Sequence, residues 1–159
     1  MTNSKHKTAI TRNKPSVPMR YLARKNLLTG NKLDFGSGKG FDANYFAMDK
    51  FDTFYSPAYP QKRYDTITCN YVLNVCFTKE IKAILNTIKS LLNQSGIAYI
   101  TVRRDIIKPG FTSKGTYQKN VILDLPVLKE TNSYCTYILT LNNRERKQPT
   151  LLTTKEEKL

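Results

Sequence analysis

Hydrophobic positions along the chain alternate between a helical and a strand-like spacing. Residues 19–28, 41–48 and 78–93 repeat apolar side chains at helical intervals, which predicts amphipathic helices. Short β-rich runs predict strands at 32–35, 51–55, 65–69, 97–102, 118–125 and 134–141. Strands that alternate with helices and end in a strand pair indicate an α/β fold. We therefore predict a compact, mostly parallel sheet with a C-terminal antiparallel strand pair and a reduced number of helices.

The first predicted strand runs into a glycine-rich turn, Leu-Asp-Phe-Gly-Ser-Gly-Lys-Gly-Phe over residues 33–41. Glycine has no Cβ, so a turn built this way lets the backbone pass very close to a ligand. Asp34 closes the apolar run and is placed to accept hydrogen bonds from a ligand ammonium or hydroxyl group. We expect the loop amides to face the same crevice, beyond the carboxyl ends of the strands.

The glycine spacing excludes two common nucleotide loops. A dinucleotide fingerprint, G-x-G-x-x-G, would need glycine where Phe41 stands. A Walker A loop needs Ser or Thr after its lysine, whereas Lys39 is followed by Gly40. The remaining pattern is D-x-G-x-G-x-G after a strand.

Composition favours one small domain. A chain of 159 residues suits a single core. We divide it into a basic polar leader (1–18), a domain (19–142) and a charged, flexible tail (143–159). No apolar run reaches the roughly 20 residues of a membrane span, and the N-terminus has no apolar signal region.

The three cysteines fit buried free thiols in a reducing compartment, so we predict a cytoplasmic protein. No C-x-x-C pair occurs and His6 is the only histidine, so we expect no metal site.

Positive charge is the second informative feature. The formal net charge is +14, and no acidic residue precedes Asp34. A second basic set follows the middle of the chain at Arg103, Arg104, Lys108, Lys114 and Lys119. Such a field attracts phosphate backbones, so we predict contact with nucleic acid rather than with a membrane. The alternative is a solvated basic surface that keeps the protein soluble.

Five stretches together resemble class I S-adenosylmethionine (SAM) methyltransferases, which have a Rossmann-like sheet. Within that group the chain resembles small phage and bacterial proteins related to the methyltransferases associated with DNA phosphorothioation. The likeness covers roughly residues 5–141 and is carried by His-Lys-Thr-Ala-Ile (6–10), Leu-Asp-Phe-Gly-Ser-Gly-Lys-Gly (33–40), Cys-Asn-Tyr-Val-Leu-Asn-Val (69–75), Thr-Val-Arg-Arg-Asp (101–105) and Gly-Thr-Tyr-Gln (115–118). It implies methyl transfer from SAM to an acceptor, which the basic charge suggests is nucleic acid.

The resemblance also implies roles for individual residues. Asp34 and the loop would hold the amino-acid end of SAM, and Asn70 with Tyr71 would line the pocket near the sulfonium and serve catalysis. The loop residues concerned are Phe35, Gly36, Ser37, Gly38 and Gly40. Ser56 stands where the family has a ribose-binding acid, and Asp52 takes that place if the strand register differs.

The segment between the second strand and Asp65 is too short for the helix, strand and helix of larger relatives. The acidic stretch that binds adenine in those relatives is therefore missing.

On the acceptor side, Arg103 and Arg104 form either a phosphate clamp or a basic rim. Tyr117 either contacts a base or the ligand, or packs on a face of the sheet. Asn74 is expected to satisfy backbone groups rather than to act in catalysis. No cysteine follows a proline, so cytosine C5 chemistry is not indicated. Two alternatives stay open: a SAM-binding sensor without catalysis, and a nucleic-acid-binding module whose pocket is vestigial.

Overall fold

The computed structural model describes residues 4–143, and a single six-stranded sheet organises them. Its strands are β1 (Lys32–Phe35), β2 (Asp49–Phe51), β3 (Tyr64–Asn70), β4 (Leu92–Arg103), β7 (Val127–Glu130) and β8 (Tyr134–Leu139). They lie in the order β2-β1-β3-β4-β8-β7, so the short β2 is an edge strand. The first four are parallel and the last two are antiparallel, which confirms the predicted fold class.

Helices cover both faces of this sheet. α3 (Thr78–Leu91) buries Ile81, Ile88 and Leu91 against the main core. α1 (Val17–Arg24) and α2 (Phe41–Tyr45) pack on the opposite face around Tyr99 of β4. Alternation along β4 produces the two layers, because its neighbouring side chains point to opposite faces of the sheet.

The C-terminal strand pair forms from different residues than the pattern predicts. Residues 118–125 do not pair with β8; β7 takes that place. Within that run Val121 packs into the core and the amide of Lys119 donates to the carbonyl of Asn74, so the backbone is used elsewhere. A small hairpin of β5 (Gly110–Phe111) and β6 (Tyr117–Gln118) fills the connection.

The first helix starts earlier than predicted and also stops earlier. It begins at Val17 with a proline in its first turn, where proline is tolerated because the amide has no intrahelical partner there. It ends at Arg24, and Asn26 adopts a left-handed conformation (φ 55°), so Gly30 is not the residue that ends it.

A buried carboxylate ties the start of α1 to α2. The amide and hydroxyl of Ser16 donate to the two carboxylate oxygens of Asp42 at 2.8 and 2.7 Å. Both residues are buried. This contact directs the preceding chain, residues 4–15, toward the carboxyl ends of the parallel strands.

Three other predictions concern the cysteines, membrane-spanning segments and the C-terminal tail. Cys69, Cys76 and Cys135 are free and buried, as expected. No helix within residues 4–143 is long and apolar enough to cross a membrane. The predicted tail lies almost wholly outside the described residues.

Candidate functional site

A cavity of about 550 Å³ opens at the carboxyl ends of β1, β2 and β3. The glycine loop forms one wall, and residues 70–76 form another. The N-terminal segment contributes a third wall. The site is therefore where ligands bind in open α/β sheets.

At two positions in the glycine loop, the backbone passes close to a neighbouring residue and has left-handed φ angles. Gly36 has φ 77°, and a Cβ there would lie 2.3 Å from Cγ2 of Val72. Gly38 has φ 53°, and a Cβ there would lie 3.3 Å from Cβ of Ala9. L-residues rarely adopt such angles, so both positions favour glycine on conformational grounds, and the contact with Val72 adds a steric reason at Gly36.

The loop amides do not face the cavity as free donors, and this expectation was wrong. The amides of Gly36 and Ser37 donate to the carbonyl of Phe51 at 2.7 and 3.0 Å. The amide of Gly38 donates to Oδ2 of Asp52 at 2.8 Å, and that of Gly40 donates to the carbonyl of Ser37 at 2.9 Å. These bonds fasten the loop to the end of β2, so the loop contributes its shape to the cavity.

Asp34 lies at the base of the cavity and is 5% exposed. Burial raises the pKa of its carboxyl from the ordinary 3.8 to about 7. The hydroxyl of Thr68 on β3 donates to Oδ1 at 2.8 Å and opposes that pKa rise. Asp42 and Asp52 add to the rise, whereas Arg12 reduces it. Asp34 is therefore poised to gain or lose a proton when a charged group approaches.

Asp52, and not Ser56, lines this cavity at the end of the second strand. β2 stops at Phe51, and the backbones of Asp52 and Ser56 bond to each other across a tight turn. Ser56 lines a separate, open depression beside Pro57 and Lys62. The prediction that Ser56 takes the strand-end position is thus corrected, because the turn starts four residues earlier than the β-rich run suggests.

The Asp52 carboxylate also holds its own turn together. Oδ1 accepts from the amides of Phe54 and Tyr55 at 2.9 and 3.0 Å, while Oδ2 accepts from Gly38. A carboxylate has about four lone-pair positions, so Oδ2 retains one for a further donor.

Three buried polar atoms in the cavity wall have no hydrogen-bond partner among the described residues. They are Oγ of Ser37 and both amide atoms, Oδ1 and Nδ2, of Asn70. Unpaired buried polar groups cost free energy and are uncommon in folded proteins. Their grouping at the ends of β1 and β3 is a mark of a ligand site.

Tyr71 follows Asn70 in a strained conformation. Its φ is 61°, and its amide donates to the carbonyl of Thr101 at 2.8 Å. Non-glycine residues with such angles concentrate at binding sites. Burial raises the pKa of the Tyr71 hydroxyl, which keeps it protonated at neutral pH.

Asn74 also lines the cavity, but both atoms of its side-chain amide are hydrogen-bonded to backbone groups. Nδ2 donates to the carbonyls of Arg103 and Lys119 at 3.2 and 2.8 Å, and Oδ1 accepts from the Arg103 amide at 2.7 Å. The prediction that Asn74 satisfies backbone groups is confirmed.

The three predicted acceptor residues lie in different environments. Arg103 lines the cavity and bonds to Asp105 at 2.8 Å. Arg104 is not part of the cavity wall and forms an ion pair with Glu130. Tyr117 is also outside the wall, where its ring lies 5.2 Å from that of Phe77 and 5.4 Å from that of Phe111. Of these three residues, Arg103 alone lies in the cavity wall.

The N-terminal segment is the part of the site that sequence reasoning understated. Residues of the stretch His-Lys-Thr-Ala-Ile, together with Lys5 and Arg12, form one side of the cavity. The ring of His6 stacks on Phe54, with centroids 4.1 Å apart. The sequence signal for this wall is the absence of acidic residues before Asp34, from which we predicted contact with nucleic acid or a solvated basic surface. Among residues 4–143, no three metal-ligating side chains come together.

Comparisons by sequence find no matching family model and no matching curated protein. Solved structures do match the fold. The 1,6-didemethyltoxoflavin-N1-methyltransferase of Burkholderia thailandensis, with 1,6-didemethyltoxoflavin and S-adenosylhomocysteine bound, superposes with a TM-score of 0.58 at 14% identity. That match covers 86% of this chain and 77% of the other.

Two further structures agree. DhpI in complex with SAH matches with a TM-score of 0.51 and 11% identity, covering 77% of this chain and 86% of DhpI. A structure reported for the conversion of a disulfide bond into a thioacetal group during echinomycin biosynthesis matches with a TM-score of 0.53 and 17% identity. That match covers 64% of this chain and 55% of the longer one. The chain thus has the Rossmann-like fold of class I methyltransferases.

The two cavity asparagines should respond oppositely to the same isosteric change. Asn74→Leu strands backbone groups of Arg103 and Lys119 and should lower the free energy of unfolding by at least about 2 kcal/mol. Asn70→Leu removes two unpartnered polar atoms and should leave that free energy unchanged or raise it by about 1 kcal/mol. Urea unfolding of both variants measures the difference. Equal destabilisation would contradict the hydrogen-bond assignment.

Asp34 should make the free protein less stable as pH rises. Its folded pKa lies above its unfolded value, so its contribution to stability is fully present below about pH 4 and is lost as pH rises through about 7. Between pH 5 and 8, wild type should lose on the order of 2–3 kcal/mol relative to Asp34→Asn, whose side chain cannot ionise. Urea unfolding at both pH values tests this, with the exposed Asp124→Asn as control. A constant difference between wild type and Asp34→Asn would contradict the burial of this carboxyl.

Proposed function

We propose that the protein is a SAM-dependent methyltransferase. The observation that carries the proposal is the set of unpartnered buried polar atoms on Ser37 and Asn70, which line one cavity with Asp34 and Asp52. Buried polar atoms normally have a hydrogen-bond partner in the protein, in ordered water or in a ligand, and a ligand in this cavity would supply one. The fold shared with SAH-bound methyltransferases supports the same ligand class.

The residues present fit the parts of SAM. Its amino-acid end carries an ammonium group, for which the Asp34 carboxylate is the matching acceptor. Its ribose carries two hydroxyls, and Asp52 at the end of β2 retains acceptor capacity for one of them. Phe51 and Val72 give the cavity apolar walls. A volume of about 550 Å³ lies within the range of small-molecule and cofactor sites.

SAM supplies a methyl group on a positively charged sulfur, and the protein has to align the acceptor and exclude water. Asn70 and Tyr71 are the residues proposed to do this. The backbone bond to Thr101 fixes Tyr71. Its hydroxyl, like that of an ordinary tyrosine, is protonated at neutral pH and can donate a hydrogen bond, and burial raises its pKa further. No metal is required for such alignment.

Nucleic acid is the acceptor we propose. The net charge of +14 and the guanidinium of Arg103 in the cavity wall favour an anionic substrate. Beside the cavity, the rings of Phe77, Phe111 and Tyr117 offer a stacking surface. The resemblance to proteins related to the methyltransferases associated with DNA phosphorothioation points the same way.

A small organic acceptor is the second candidate. The Burkholderia enzyme holds 1,6-didemethyltoxoflavin together with S-adenosylhomocysteine, and it shares this fold. A sensor that binds SAM without transferring its methyl group is the third.

Calorimetry with SAM tests the proposal directly. We expect binding to wild type, at least tenfold weaker binding to Asp34→Asn, and weaker binding to Asn70→Leu despite its unimpaired stability. Affinity should rise with pH through about 7, because only ionised Asp34 pairs with an ammonium group. Absence of binding at millimolar SAM would refute the function, and binding without transfer of a labelled methyl group to any acceptor class would identify a sensor.

Adjacent arginines provide a matched test of the acceptor. Arg103→Gln should reduce labelled methyl transfer to single-stranded DNA or RNA and flatten the salt dependence of binding, since it removes a cation from the cavity wall. Arg104→Gln removes the same charge outside the cavity wall and should have a smaller effect. Each arginine pairs with one carboxylate, Asp105 or Glu130, so the two variants differ in position rather than in pairing. Equal effects, or transfer to a small molecule alone, would count against nucleic acid.

A further inference from the structure

Residues 4–12, here called the N-terminal strap, form one side of the cavity and are held by hydrogen bonds at both ends. At one end, Ser4 bonds to Gly115 and Thr116 in the β5–β6 turn at 3.3 and 3.0 Å. At the other end, Nζ of Lys39 in the glycine loop donates to Oγ1 of Thr11 at 2.8 Å. These hydrogen bonds therefore hold the strap in a defined position in the cavity wall.

Five cationic or potentially cationic side chains line the cavity: Lys5, His6, Arg12, Lys39 and Arg103. Within the described chain, four of them already have partners. Lys5 pairs with Glu80, and His6 stacks on Phe54. Lys39 bonds to Thr11, and Arg103 bonds to Asp105.

Arg12 is different. Among residues 4–143 it makes no hydrogen bond or ion pair, although it is partly buried. It lines the same cavity as Asp34 and Tyr71, and its positive charge reduces the rise in pKa that burial causes in both groups. A guanidinium group presents several donors in a fork that matches a carboxylate.

We propose that Arg12 binds the carboxylate of the amino-acid end of SAM, while Asp34 takes the ammonium group. This inference rests on the proposed function. An α-amino acid is a zwitterion, and a site with one unpaired cation and one buried acid complements both of its charges. The strap then belongs to the cofactor site rather than to an interface for nucleic acid.

The test compares SAM with decarboxylated SAM, which keeps the sulfonium and ammonium groups and lacks only the carboxylate. Calorimetry should show that wild type binds SAM about 10–100-fold more tightly, the effect of one charge-assisted hydrogen-bonded pair. Arg12→Met should bind the two ligands equally, through loss of affinity for SAM alone. Arg12→Lys should retain part of the preference. Arg20→Met, which removes an exposed cation of α1, should leave the preference intact.

The outcomes separate the two proposals. If wild type binds neither ligand, the methyltransferase function fails. If wild type binds both equally, or Arg12→Met keeps the preference, the inference about Arg12 is overturned while the function stands. The comparison of the two ligands on wild type uses no variant, so it remains valid even if a variant fails to fold.

Discussion

The attachment of the glycine loop to the end of β2 is the constraint on which the rest of the site depends. The Phe51 carbonyl accepts two loop amides, and the Asp52 carboxylate accepts a third. Because these bonds fix the loop, Gly36 can lie against Val72, and the cavity beyond the carboxyl ends of β1 and β3 stays open. A loop with free amides would have more ways to collapse into that space. The backbone thus defines the cavity, and side chains supply its chemistry.

The electrostatics of the site follow from this geometry. Three carboxylates, Asp34, Asp42 and Asp52, lie around one cavity, and each has a different environment. Asp42 accepts hydrogen bonds from Ser16, and Asp52 accepts them from backbone amides, so both carboxylates hold neighbouring segments in place. Asp34 has one hydroxyl donor and deep burial, which leaves its charge state open to a ligand. The basic strap lies opposite this acid and balances it.

Much of this arrangement was predictable from the sequence. The glycine loop, Asp34 and Asn70 were placed at the carboxyl edge of a parallel sheet because strand and helix periodicities are read locally. The end of the second strand at Asp52 was not predictable. The β-rich run continues to Tyr55, and the chain turns earlier only because the backbones of Asp52 and Ser56 bond to each other.

Other features depend on tertiary partners. Two asparagines four residues apart look equivalent in the sequence, yet one is saturated by Arg103 and Lys119 and the other has no partner in the described chain. Likewise, no local sequence feature shows that the N-terminal strap lines the cavity, because its contacts are with Gly115 and Lys39, which lie far along the chain.

The position of β2 at the sheet margin has a consequence for self-association. A strand with a single neighbour presents unpaired backbone groups, which invite pairing with another molecule. β2 has only three residues, and two of them, Asp49 and Lys50, are charged and exposed. An edge strand that is this short and this charged disfavours pairing with a strand of another molecule. This edge of the sheet is therefore protected against pairing with a second molecule.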